Sequence, residues 1–123
     1  MTEREVITSI DSRNVLMELI KNNPGHIVIK LGADWCGPCK RIEEHVNKFF
    51  SKCPRNVVCC DIDIDESFDI YAYLKSKRMV DGVPTILVYS SGNESFIPDH
   101  IHSGGDQVSF ESFASAMLSN FSK

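Results

Sequence analysis

Ile27-Val28-Ile29-Lys30-Leu31 runs as an apolar segment into Trp35-Cys36-Gly37-Pro38-Cys39-Lys40. Ile42, Val46, Phe49 and Phe50 then follow at i, i+4, i+7 and i+8, the spacing of one helix face. The six middle residues therefore join the end of a strand to the start of a helix. That position has a chemical consequence. The thiolate is the reactive form of cysteine, and the free amides and dipole of a helix N-terminus stabilise an anion. Cys36 falls at or just before the helix start. Cys39 falls one turn later on the same side, within reach for a small disulfide ring. Pro38 is tolerated because it lies in the first turn, where its missing N–H removes no helix bond. The stretch describes a dithiol/disulfide pair, Cys36-Cys39.

The rest of the chain alternates between strand and helix. Glu5 to Thr8 reads as a short strand. Asp11 or Ser12 caps a helix carrying Val15, Leu16, Leu19 and Ile20 on one face, and Asn23-Pro24-Gly25 ends it. His26 to Leu31 is apolar on both faces except at Lys30, as expected of a central strand. One helix is expected over Gly37 to Lys52. Asn56 to Ile64 is the next strand, and a helix covers about Ser67 to Lys77. Asp81-Gly82 is a turn signal, and Thr85 to Tyr89 is a strand. Ser90 to Asn93 reads as a hairpin-like turn, with a last strand near His100 to Ser103. Phe110, Phe113, Met117 and Phe121 mark a final amphipathic helix. The first half implies parallel pairing and the hairpin adds an antiparallel part.

With these elements in order, the chain resembles the thioredoxin family. The family's active site reads Trp-Cys-Gly-Pro-Cys-Lys, and Val83-Pro84-Thr85 matches its cis-proline segment before a strand. The resemblance implies an α/β thioredoxin fold, a mixed five-stranded sheet flanked by four helices, formed by one domain over residues 1–123. It implies that Cys36 attacks a substrate disulfide and Cys39 resolves the mixed disulfide. Trp35 flanks the site, with Gly37, Pro38 and Lys40 as support. Gly82, Val83 and Pro84 form an edge for docking an extended peptide. No cofactor is implied. The partners implied are disulfide-containing proteins and a reductase of the thioredoxin reductase type.

Three departures from the family pattern stand out. Lys30 lies where the family commonly has a buried aspartate. Asp61 aligns where the family often has lysine, so a charge-swapped Lys30–Asp61 pair is expected, because a lone buried ammonium is costly. Such a charge favours thiolates, stabilises the reduced dithiol over the disulfide, and so shifts the potential in the oxidising direction. The alternative is a Lys30 that snorkels out to solvent. Second, Ile42-Glu43-Glu44-His45 lacks the proline that usually kinks the active-site helix, so a straighter helix is expected. Third, Glu94 to Gly105 is longer than usual and holds His100 and His102, read as strand-edge histidines.

Composition narrows the function classes. The chain has 123 residues and a net charge of −4, with no basic block, which argues against nucleic-acid binding. No apolar stretch approaches the roughly 18 residues of a membrane helix. The charged opening, Met1 to Glu5, does not read as a signal peptide. Five cysteines without that signal argue for a reducing, cytoplasmic setting rather than a disulfide framework. Cys59 and Cys60 read as core, and Cys53 as exposed at a helix end. Zinc is a rival use of Cys36 and Cys39, but adjacent Cys59 and Cys60 point to opposite faces of a strand, so no metal is expected. The expectation is a monomeric protein disulfide reductase. An isomerase or oxidase, or a binding subunit with little redox role, are the alternatives.

Overall fold

Strand β2 (His26–Gly32) is buried at every position after His26, and that property puts it at the centre of the sheet. The computed structural model describes residues 5–122. The charged segment Met1 to Arg4 lies outside the described residues. Around β2 are β1 (Val6–Ile7), β3 (Val57–Asp63), β4 (Thr85–Tyr89) and β5 (His100–Ser103), in the order β1-β3-β2-β4-β5. β1 and β2 pair with β3 in parallel, and β4 runs antiparallel to both β2 and β5. The register sets Lys30 beside Asp61, and Ile27 beside Tyr89.

Alternation along β2 sends its side chains to two different cores. Ile27, Ile29 and Leu31 pack with Leu16 and Ile20 of α1 (Arg13–Asn22) and Ile70 and Leu74 of α4 (Phe68–Ser76). Val28 faces the other way, towards α3 (Glu43–Lys52) and α5 (Gln107–Phe121). Phe49 anchors that second core, with Phe50, Phe110 and Phe121 around it at 5.9 to 6.4 Å between ring centres. Cys59 and Cys60 divide between the two cores, as a strand requires. Burial first, and neighbouring Cys59 second, push the Cys60 thiol up to about 12. Cys53, expected at the surface, is buried against Phe50 and its neighbours, because the chain turns inward after α3 to begin β3.

The expected single helix over residues 37–52 is two helices, α2 (Gly37–Arg41) and α3, so among the described residues five helical segments flank the sheet and not four. The break falls at Ile42, whose φ of −103° and ψ of 2° leave the helical region. No proline is involved. The Gln107 side chain donates to the Arg41 carbonyl at 2.9 Å, and a side chain bonded into a helix's carbonyl ladder interrupts it. The cause comes from α5, and the sequence of the broken helix holds no trace of it.

Two further features concern the C-terminal half. The connection after β4 is a loop of residues 90–99, tied by Asn93 and Asp99. Ser90 N–H and Asn93 Nδ2 both donate to Asp99 Oδ2, at 2.7 and 2.9 Å. Phe96 lies on Tyr73 at 4.7 Å between ring centres, so the added residues cover α4. The last helix starts at Gln107, capped by Asp106, which accepts from Ser109 N–H at 2.8 Å.

His100 and His102 both lie on the edge strand β5, as expected, but His100 is half-buried while the His102 side chain is buried. It sits between Phe110 and Phe113, with Nε2 3.2 Å from Ser109 Oγ and Nδ1 without a partner. Burial lowers its pKa below the usual histidine value, and Asp106 opposes that only in part. The unfolded chain therefore binds a proton near pH ~6.5 that the folded chain refuses. Stability from this site is complete above that pH and is lost as pH falls through the folded value. His102→Phe is expected to lose less stability than the parent between pH 7 and 5.5 in urea titrations. Equal losses would show that His102 does not set this slope.

Candidate active site

Cys36 ends the strand-to-helix connection and acts as the N-cap of α2. Its Sγ accepts from Cys39 N–H at 3.1 Å, an amide aimed at the atom that carries charge as a thiolate. Pro38 occupies the first turn of α2. Cys36 and Cys39 form a disulfide across 5.3 Å between Cα atoms, and each residue is 4% exposed. Covering Cys36 from the other side is the segment before β4. The Val83–Pro84 peptide bond is cis, and the Val83 carbonyl oxygen lies 3.7 Å from Cys36 Sγ. Gly82 has φ of +98°, a turn conformation glycine adopts readily, and its carbonyl accepts from Thr85 Oγ1 at 2.8 Å.

A third segment locks these two together. Gly104 N–H donates to the Pro84 carbonyl at 3.0 Å. Gly105 lies so close to Pro38 that a Cβ there would fall 2.7 Å from the Pro38 carbonyl oxygen. The loop between β5 and α5 thus touches both halves of the site. The sequence reading includes Gly104 and Gly105 in the long Glu94 to Gly105 segment but assigns them no role at the site, although an adjacent glycine pair between a strand and a helix was the available signal.

Trp35 is 68% exposed, so it is a surface residue and not part of the core. Its Nε1–H donates to Asp65 Oδ2 at 2.9 Å, which fixes the indole beside the dithiol. Asp65 was not anticipated; it sits on the turn after β3 and becomes a neighbour of Trp35 only through the pairing of β2 and β3. Lys40 and Gly37 are exposed on α2.

Beneath the dithiol, Lys30 is 7% exposed and does not snorkel to solvent. Its Nζ lies 3.6 Å from Asp61 Oδ1. A Cβ built on Gly32 would stand 3.3 Å from Lys30 Cε and 3.5 Å from Cys39 Sγ, so the lysine and the second cysteine both border that glycine. A cavity of about 270 Å³ opens here, walled by Lys30, Cys39, Glu43, Asp61 and Asp63 among others. No cluster of three or more metal-ligating side chains occurs among the described residues. No helix among them is long and apolar enough to cross a membrane.

Chemically, one sulfur is held on a helix cap, a second is one turn behind it, and a peptide carbonyl borders the first. This arrangement passes electron pairs between disulfides. Comparison with known proteins agrees. The Thioredoxin family model matches residues 7–115. A thioredoxin from Coprinus comatus is 34% identical over 91 residues, 73% of this chain and 78% of the relative. The oxidised mitochondrial thioredoxin 3 of Saccharomyces cerevisiae is 28% identical with a TM-score of 0.66, over 89% of this chain and 94% of that one. A Malassezia sympodialis thioredoxin shares the fold, with a TM-score of 0.69 over 94% of each chain at 21% identity. Sequence match, fold and the geometry of the two sulfurs lead to the same place: this chain belongs to the thioredoxin family and is a thioredoxin-like thiol–disulfide oxidoreductase.

Proposed function

We propose that this protein works as a monomeric, single-domain reductant of protein disulfides in the cytoplasm, with Cys36 as nucleophile and Cys39 as resolver. The observation that carries the assignment of roles is the Cys39 N–H donating to Cys36 Sγ at 3.1 Å at the head of α2. That amide stabilises a thiolate on Cys36. The substrate segment would lie in extended form along Gly82, Val83 and Pro84, against the exposed face of Trp35. Gly37 and Pro38 shape the turn, and Lys40 adds a surface charge beside it. Lys30 and Asp61 support the site from below. Reducing equivalents come from outside the chain, from a reductase of the thioredoxin reductase type, because the sequence has no glycine-rich nucleotide loop.

Equilibrating the Cys36–Cys39 pair with glutathione and reading the fraction oxidised tests the direction of transfer. A potential near about −270 mV is expected of a reductant. A value near about −180 mV or higher would assign the protein to isomerases or oxidants instead. Sedimentation at micromolar concentration tests the monomer, and fractionation of cells expressing the chain tests the compartment.

A further inference from the structure

The buried polar side chains among the described residues include Lys30, Ser67, Thr85 and His102, and of these only the lysine carries a charge at neutral pH by default. A buried ammonium is expensive unless an anion compensates it. The partner in the structure, Asp61, is 3.6 Å away, beyond good hydrogen-bond length, and 39% exposed. The compensation is therefore partial. Lys30 Cε and Cys39 Sγ both border Gly32, within 3.3 and 3.5 Å of where a Cβ on that glycine would stand. Cys39 opens onto the cavity that Lys30 also lines, whereas Cys36 is not on its wall and faces the Val83 carbonyl.

We infer that Lys30 is a positioning residue for the second half of the exchange: its buried charge holds Cys39 as a thiolate and speeds release of the substrate. This rests on the roles proposed above for the two cysteines. In the first half, the Cys36 thiolate attacks one sulfur of the substrate disulfide. The S–S bond breaks, and the other substrate sulfur leaves as a thiolate that water protonates. In the second half, Cys39 gives its proton to solvent in the cavity and attacks Cys36 Sγ. The Cys36–Cys39 bond forms, the mixed disulfide breaks, and the substrate's remaining sulfur leaves as a thiolate. Two electrons pass from the dithiol to the substrate. Loss of the Cys39 proton is the step Lys30 assists.

The other charged groups on the cavity wall are Asp34, Lys40, Glu43, Asp61, Asp63 and Glu66. Asp34, Lys40, Glu43 and Glu66 are exposed, and Asp61 and Asp63 are half-buried. Water screens exposed charges, while a buried charge acts through a lower dielectric. Lys30 therefore dominates at Cys39 despite the larger number of carboxylates.

Reduced protein in excess over 5,5′-dithiobis(2-nitrobenzoate) separates the halves by stopped flow. The first coloured thiolate reports attack by Cys36, the second attack by Cys39. Lys30→Met is expected to slow the second release at pH 6 to 7, about tenfold for each unit by which the Cys39 thiol rises, and to move its pH profile alkaline. The first release changes much less, and Lys30→Arg restores the second. Asp61→Asn removes the offsetting anion and moves the second profile in the acid direction. Equal slowing of both releases by Lys30→Met, or an alkaline move with Asp61→Asn, overturns the inference. If Lys30→Met does not fold, Asp61→Asn decides alone. A parent protein whose second release persists in Cys39→Ser would instead overturn the roles of the two cysteines, whatever Lys30 does.

Discussion

Replacing Cys36 with serine is expected to reduce disulfide turnover to the uncatalysed background. Disulfide exchange proceeds by attack of a thiolate on sulfur, and a serine hydroxyl is neither ionised at neutral pH nor a comparable nucleophile. Cys36 is the sulfur at the cap of α2, where the Cys39 amide points at it. No other sulfur replaces it there. Cys39 lies a turn behind, and Cys53, Cys59 and Cys60 are buried in the two cores. The companion variant, Cys39→Ser, gives a different failure. Cys36 still attacks, but release is blocked, so a one-to-one mixed disulfide accumulates and is seen by mass under non-reducing conditions. Should Cys36→Ser form that adduct while Cys39→Ser turns over, the two roles are reversed. The double variant separates an oxidoreductase from a rigid binding subunit, since a subunit keeps its biological effect without either sulfur.

Gly105→Ala carries the largest expected effect on the active site away from the sulfurs. The new Cβ would lie 2.7 Å from Pro38 Cβ and from the Pro38 carbonyl oxygen, and 2.9 Å from Pro38 Cα. Those are backbone and ring atoms, so no flexible side chain can move aside. Either α2 tilts away from the loop or the loop retreats. A retreating loop takes the Gly104 N–H away from the Pro84 carbonyl, and with it the support of the Val83 carbonyl beside Cys36. Overpacking of this kind costs about 1–3 kcal/mol of stability. A displacement near 1 Å in a reacting constellation costs on the order of 10²-fold in rate. Urea midpoints and disulfide reduction rates measured on the same preparation check both. An alanine variant with the stability and the rate of the parent would show that the loop is not the clamp described here.

Both predictions turn on contacts of different visibility in the chain. The two sulfurs and their helix were legible because the information is local. A three-residue separation, a proline in the first turn and an apolar stripe at helical spacing all act within one or two turns. The same holds for β2, whose continuous apolar run specifies a strand covered on both faces. The Lys30–Asp61 pairing is implied by the family resemblance, and the register sets those residues side by side.

What was not legible depends on groups far apart in sequence. The break at Ile42 comes from Gln107, 66 residues from the Arg41 carbonyl it occupies. Trp35 is fixed by Asp65, 30 residues on. Cys53 was placed at the surface because a helix end is usually exposed, and the turn into β3 buried it. The burial of His102 required the position of α5, which no pattern within β5 encodes. The sequence by itself determined the reactive pair, the order of the elements and the central strand, because propensity and periodicity are properties of neighbouring residues. The tertiary structure alone decided which loop clamps Pro38, where the active-site helix breaks, and how deeply Lys30 is buried. Those outcomes follow from close packing between distant segments, where a single missing Cβ or one side-chain donor determines how near two backbones come.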